Sequence, residues 1–329
     1  MQLAGVAPDV SDHDYPAHVP LLTSPPHSTS WTVEWQRITA IRGGNVQSAQ
    51  VFVAVMAAAA LHASWNAIAK GVPDRFGLFI KSSIISVVIG AVLVFVVSPP
   101  AGPSWPWLLG SVGMHVLYNL GLMAAYQLGD FNQTYPLARG LGPVVVALVA
   151  ATVLGEPLPP LATAGVVVIA AAIGVLGLTP WKRIRHNRSA LTAAVLTGLA
   201  IATYTLLDGV GVRRSGSALG YAVWLLALHG LATMAAMALV KRSRWAPVPP
   251  EKAASWKLSV VAGVMSMSAY SLVLWAQSRG VLAAIAALRE SSVVIAAIIG
   301  AIFFREPLSR LRITASLAVA AGVVLLALP

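Results

Sequence analysis

The chain has 329 residues, 57% of them hydrophobic and only 10% charged, with a mean hydropathy of +0.78. A soluble domain carries roughly 25% charged residues, so this chain could not cover a water-facing surface and reads as a polytopic membrane protein. Its net charge of +11 sits in short basic clusters between long apolar runs, a positive-inside pattern that speaks against nucleic acid as a partner, and the lack of cysteine excludes disulfides and thiol chemistry.

Residues 1–46 are rich in Pro, Ser, Thr and His and hold no apolar run long enough for a signal-peptide core. They are expected to form a disordered N-terminal tail. No metal site is read from His13, His18 and His27 within it. From there the chain alternates apolar runs with short turns, and each run has the length of about 20 residues that a bilayer-spanning helix needs. Spans are expected near 48–70, 77–98, 105–128, 131–154 and 158–179, then near 190–211, 217–240, 256–278, 282–304 and 308–328. The basic stretch WKRIRHNRS (181–189) is a linker between a first five-helix repeat (47–180) and a second (190–329).

The two halves are copies. YPLARGLGPVVVALVAATVLGEPL (135–158) lies over IAALRESSVVIAAIIGAIFFREPL (285–308) without a gap, so that Arg139 recurs as Arg289 and Glu156 as Glu306. An odd number of spans per copy makes the second copy enter the membrane from the opposite side. The expected fold is therefore all-α, with ten transmembrane helices in two inverted five-helix repeats. Fifteen Lys and Arg residues follow spans 1, 5, 7 and 9, against five on the opposite face. That ratio puts the first group in the cytoplasm and both termini outside.

Candidate site residues are the polar groups inside the spans. Arg139 and Arg289 each sit about eight residues into an apolar run, where an ionisable group is costly and marks a pathway or a partnered site. They are read either as a pair of guanidiniums facing a central cavity, ready for a carboxylate or phosphate, or as pins between the two halves. Glu290 has no counterpart, since the first copy has Gly140. It is read as a candidate proton carrier or as one half of a plain buried ion pair, and His62 is a second candidate proton carrier. His62, Trp65 and Asn66 share one face of span 1; Thr203, Tyr204 and Thr205 are the equivalent set in span 6. His115, Tyr118, Asn119 and Tyr126 repeat the device in span 3, and Tyr270, Trp275 and Gln277 in span 8. Such faces suit an organic solute better than an inorganic ion. Tyr135 before Pro136, with Pro143 further on, predicts a locally irregular span 4 next to the site. Glu156 and Glu306, in their Glu-Pro-Leu turns, are expected to be hairpin residues, and Asp208 either to pair with Arg213 or Arg214 at the interface or to serve transport.

LHASWNAIAK (61–70), YPLARGLGP (135–143), AALRESSVV (286–294) and the paired GEPL (155–158) and REPL (305–308) together resemble a permease of the EamA type in the drug/metabolite transporter superfamily. The resemblance covers roughly residues 48–328. It implies a multi-pass protein of the plasma or inner membrane that moves small metabolites, commonly with protons and without a cofactor. Many ten-span members are held to have cytoplasmic termini, against the Lys/Arg count here. The function expected is a secondary transporter of a small organic metabolite, anionic or zwitterionic, working by alternating access. The alternatives are a flippase for a lipid-linked substrate and a non-transporting membrane partner. An enzyme is not expected, because no G-x-S-x-G, H-E-x-x-H or nucleotide-binding loop is present. The expected partners are a small-molecule substrate and the lipid bilayer; a homodimer is left open.

Overall fold

The computed structural model describes residues 49–128, 131–178, 188–239, 249–305 and 309–328, and the regular structure among them is entirely helical. The expected tail, most of the 181–189 linker and Glu306 lie outside these residues. The helices are α1 (Ala49–Gly71), α2 (Arg75–Leu93), α3 (Trp105–Leu128), α4 (Phe131–Thr152), α5 (Pro160–Leu178) and α6 (Arg188–Arg214). They continue as α7 (Ala218–Leu239), α8 (Trp256–Gln277), α9 (Leu282–Leu288), α10 (Ser291–Phe304) and α11 (Arg310–Ala327). Each grows from one of the apolar runs, with α9 and α10 sharing the ninth. Among the described residues, seven helical stretches are long and apolar enough to cross a membrane. Large apolar side chains such as Val53, Phe95, Leu148, Leu239, Phe303 and Leu317 point outward. Hydrocarbon can cover an apolar surface of this kind and water cannot.

Helix partners come in exchanged sets. α3 packs on α6 and α1 on α8; α4 packs on α6 and α10 on α1; α2 packs on α8 and α3 on α7. The pairs α2 with α7 and α5 with α11 map onto themselves when the halves are exchanged. At the last of these contacts a Cβ added to Gly322 would stand 2.9 Å from the carbonyl oxygen of Gly165, so the two backbones meet only because both residues lack one. Val51, Val55, Ile169, Ile173, Leu288 and Val319 fill a core between α1, α5, α9 and α11.

The residues just before the two Glu-Pro-Leu sequences also match. Gly155 (φ 66°) and Arg305 (φ 53°) take the left-handed conformation at the same place in the two copies, ending α4 and α10. Glycine suits that conformation; arginine holds it at a cost of about 1 kcal/mol.

Span 4 departs from expectation. α4 runs unbroken through Pro136 and Pro143. A proline removes one ladder bond, and a membrane helix packed against neighbours survives that loss. The interruption lies in span 9, at Arg289–Glu290, where no proline or glycine stands. There the amides of Glu290, Ser292 and Val293 reach back three residues, to Ala287, Arg289 and Glu290, in a tightened turn between α9 and α10. Every residue of α9 is buried, so the turn is held deep inside the bundle.

Candidate functional site

Two consecutive residues of this turn face different neighbours, because successive helical residues project about 100° apart. Glu290 points to α4: Arg139 Nε donates to its Oε2 at 2.8 Å, with both side chains 2% exposed. Arg139 Nη2 donates to Ser292 Oγ at 3.1 Å, and Nη1 stands 3.4 Å from His62 Nε2. The guanidinium is thus enclosed by α1, α4 and α10. Arg289 points elsewhere, into a cavity of about 130 Å³ between the halves. That space holds roughly ten waters, or an organic solute of modest size.

Aromatic rings dominate the inner end of the cavity. Tyr204 stacks on His115 with centroids 4.0 Å apart, and Tyr118 and Tyr270 meet Tyr204 edge-on at 5.8 and 6.1 Å. Arg289 Nη2 donates to the Tyr204 hydroxyl at 3.3 Å. Arg289 Nη1 is buried with no hydrogen-bond partner. A buried guanidinium N–H left without an acceptor is costly, and an anionic oxygen would relieve it. Trp65, from α1, and Phe79, from α2, stand edge-to-face at 6.1 Å in the cavity wall nearer the α1–α2 corner. Ser82, Ser83 and Ser86 of α2 and Ser266 of α8 supply hydroxyls. No carboxylate lines the cavity among the described residues.

The residues singled out in the sequence divide accordingly. His62, Trp65, Tyr118, Asn119, Tyr204, Tyr270 and Arg289 line the cavity. Arg139 and Glu290 do not; the arginines expected to act as a pair part here, one sealed in an ion pair and one open to the cavity. Asn66 spends its amide on its own helix, donating to His62 O at 2.7 Å, and Thr203 and Thr205 back-bond likewise to Leu199 and Ile201. The side chains of Tyr126 and Tyr135 lie outside the described residues. His229 went unnoticed although it is the one histidine of its apolar run. It lines the cavity 5.1 Å from His115, and Asn119 Nδ2 lies 2.9 Å from its Nε2.

Asp208 corrects a second expectation. It is fully buried and pairs with neither Arg213 nor Arg214: Tyr221 donates to its Oδ1 at 3.1 Å, and the Tyr270 hydroxyl donates to Oδ2. Arg213 is engaged instead by Glu156, an ion pair with side chains 7% and 4% exposed. Arg213 also donates to Gln277 O at 2.9 Å and Gly280 O at 2.6 Å, and Glu156 Oε2 accepts from Leu282 N at 3.2 Å. One pair therefore closes the ends of α4, α6 and α8 over the start of α9. Away from that end, Asp74 accepts from Gly77 N and Ala254 N, and the Lys81 ammonium donates to Ala254 O, joining the α1–α2 corner to the segment before α8.

Residues 188–328 match the model of the EamA-like transporter family. No curated protein matches the chain. A solved structure described only as a crystal structure of a protein is 18% identical, with a TM-score of 0.61 over 84% of this chain and 95% of that one. That likeness is one of fold.

Proposed function

We propose that the chain is a secondary transporter of a small organic anion or zwitterion, held in the central cavity by Arg289, a reading supported by the match of residues 188–328 to the EamA-like transporter family. The observation that carries this reading is the unpartnered Nη1 of Arg289 at a cavity walled by Tyr118, Tyr204, Tyr270 and Trp65. A buried cation with a free N–H selects an oxygen anion, and the rings accept a carbon skeleton. Arg139 is only 1% exposed, so it offers no lateral opening to a lipid headgroup.

The test is a binding screen on the detergent-solubilised protein, followed by uptake into proteoliposomes, with carboxylates and their matched neutral amides. Carboxylates are expected to bind and enter saturably, with the amides weaker by tenfold or more. Equal behaviour of acids and amides, or no saturable uptake of any acid, would overturn the reading.

Alternating access is part of the same proposal. The exchange of helix partners between halves supports two inverted repeats that rock about the cavity. The Arg213–Glu156 pair is the latch at one end. Because the chain has no cysteine, a single Leu282→Cys beneath the latch reports its opening. Arg213→Gln is expected to speed maleimide labelling of that cysteine by about tenfold, the effect of ~1.4 kcal/mol on the closed state. An unchanged labelling rate would remove the latch from the mechanism.

A further inference from the structure

One buried carboxylate remains outside the mechanism so far. Besides Asp74 and Glu156 near the ends of the bundle, two cations and two acids are withdrawn from water: Arg139, Arg289, Asp208 and Glu290 are all at most 7% exposed. Arg139 and Glu290 neutralise each other by direct contact. The remaining two, Arg289 and Asp208, make no ion pair among the described residues, yet they share one wall. Arg289 binds Tyr204, Tyr270 binds Asp208, and His115 stacks on Tyr204 and meets Tyr270 edge-on at 5.1 Å. Asp208 stands one tyrosine behind the cavity, at 0% exposure.

The groups facing Asp208 are few. Ser111 on α3 faces the carboxyl and is 3.1 Å from His115 Nδ1. Tyr221 comes from α7, Tyr270 from α8 and Arg289 from the end of α9. Arg139, on the adjoining α4, is taken up by Glu290. Arg289 is thus the one unmatched cation nearby among the described residues. In a low-dielectric interior a net charge is costly, and the pair is balanced only while the cavity is empty.

We propose that Asp208 is the proton-carrying residue of the transport cycle, taking up one proton when an organic anion binds Arg289 and releasing it when the anion leaves. The anion's oxygen accepts from Arg289 Nη1. The positive charge that had balanced Asp208 is then spent, and the carboxylate gains an O–H from solvent by way of the cavity. Charge balances at each step: one anion and one proton enter together, so the loaded cavity is as neutral as the empty one. Glu290, the other candidate acid, is held by Arg139 on the far side of the turn. This inference rests on the anion-binding reading of Arg289 and adds the proton to it.

The experiment uses the full-length protein in weakly buffered detergent, with sodium benzoate adjusted to the same pH as the probe. A pH indicator reads proton uptake, and the benzoate Kd is measured across pH. In the wild type, uptake is expected to approach one proton per bound benzoate, with affinity falling about tenfold per pH unit on the alkaline side. Asp208→Asn mimics the protonated acid: it is expected to abolish proton uptake and make affinity independent of pH. Should Asp208→Asn fail to fold, Tyr270→Phe, which removes one donor from the carboxyl, is expected to move the pH at which affinity falls. A carboxylate that merely ties helices together would leave that pH where it is. Benzoate binding without proton uptake overturns the proton role alone, as does undiminished uptake in a folded Asp208→Asn. Absence of benzoate binding to the wild type overturns this inference and the anion-binding reading together.

Discussion

Arg139→Met is expected to lower the stability of the solubilised protein by about 3–5 kcal/mol, the cost of leaving a buried charge without its partner. The charge left behind is Glu290, which is 1% exposed and receives its ion pair from Arg139 Nε. Ser292 and His62 lose a neighbour in the same step. Adding Glu290→Gln to Arg139→Met should restore much of the loss, since the remaining group is then a neutral amide. The two single changes and the double change form a cycle, read by thermal unfolding. A coupling energy indistinguishable from zero would show that the pair is not what joins α4 to the turn between α9 and α10.

That contact also marks the limit of what could be read from the chain. The apolar runs foretold the helices closely: span 1 near 48–70 is Ala49–Gly71, and span 8 near 256–278 is Trp256–Gln277. Length and apolarity are local properties, and the bilayer imposes both. The repeat foretold two arginines at equivalent places, and it could not say that they differ in role. Glu290 neutralises the arginine of the other copy instead of its own neighbour Arg289, and a contact across 151 residues leaves no trace in a linear pattern. The break in span 9 went unforeseen for a related reason. Pro136 and Pro143 are strong local signals, yet α4 stays helical through both, while Arg289–Glu290 carries no breaker and forms the turn between α9 and α10. Asp208 misled through proximity. Arg213 is five residues on, and helical neighbours on one face are three or four apart, so the two side chains part. Arg213 goes to Glu156 and Asp208 to two tyrosines. Ser82, Ser83 and Ser86 did leave a signal, since three hydroxyls within five residues of an apolar run are seldom turned to lipid.

Arg289→Gln should show the opposite balance from Arg139→Met: a large loss of binding and a small change in stability. Among the described residues Arg289 donates one hydrogen bond through its guanidinium, to Tyr204 at 3.3 Å, and its Nη1 has no partner. Little hydrogen-bonded structure therefore depends on it, and Asp208, left without its balancing charge, takes up a proton in place of standing as a bare buried carboxylate. Binding is different. A carboxylate seated in the cavity would use the free N–H and the charge together, and truncating one member of such a buried pair costs about 2–5 kcal/mol. Affinity for benzoate should fall by roughly thirtyfold to several thousandfold. Arg289→Lys keeps the charge and loses the planar fork, so it should fall between the two. The amide counterpart, benzamide, supplies the internal control: its weak binding should hardly change when Arg289 is replaced. If benzoate binds Arg289→Gln within threefold of the wild type, the anion does not sit on Arg289, and the free N–H must face something other than the substrate.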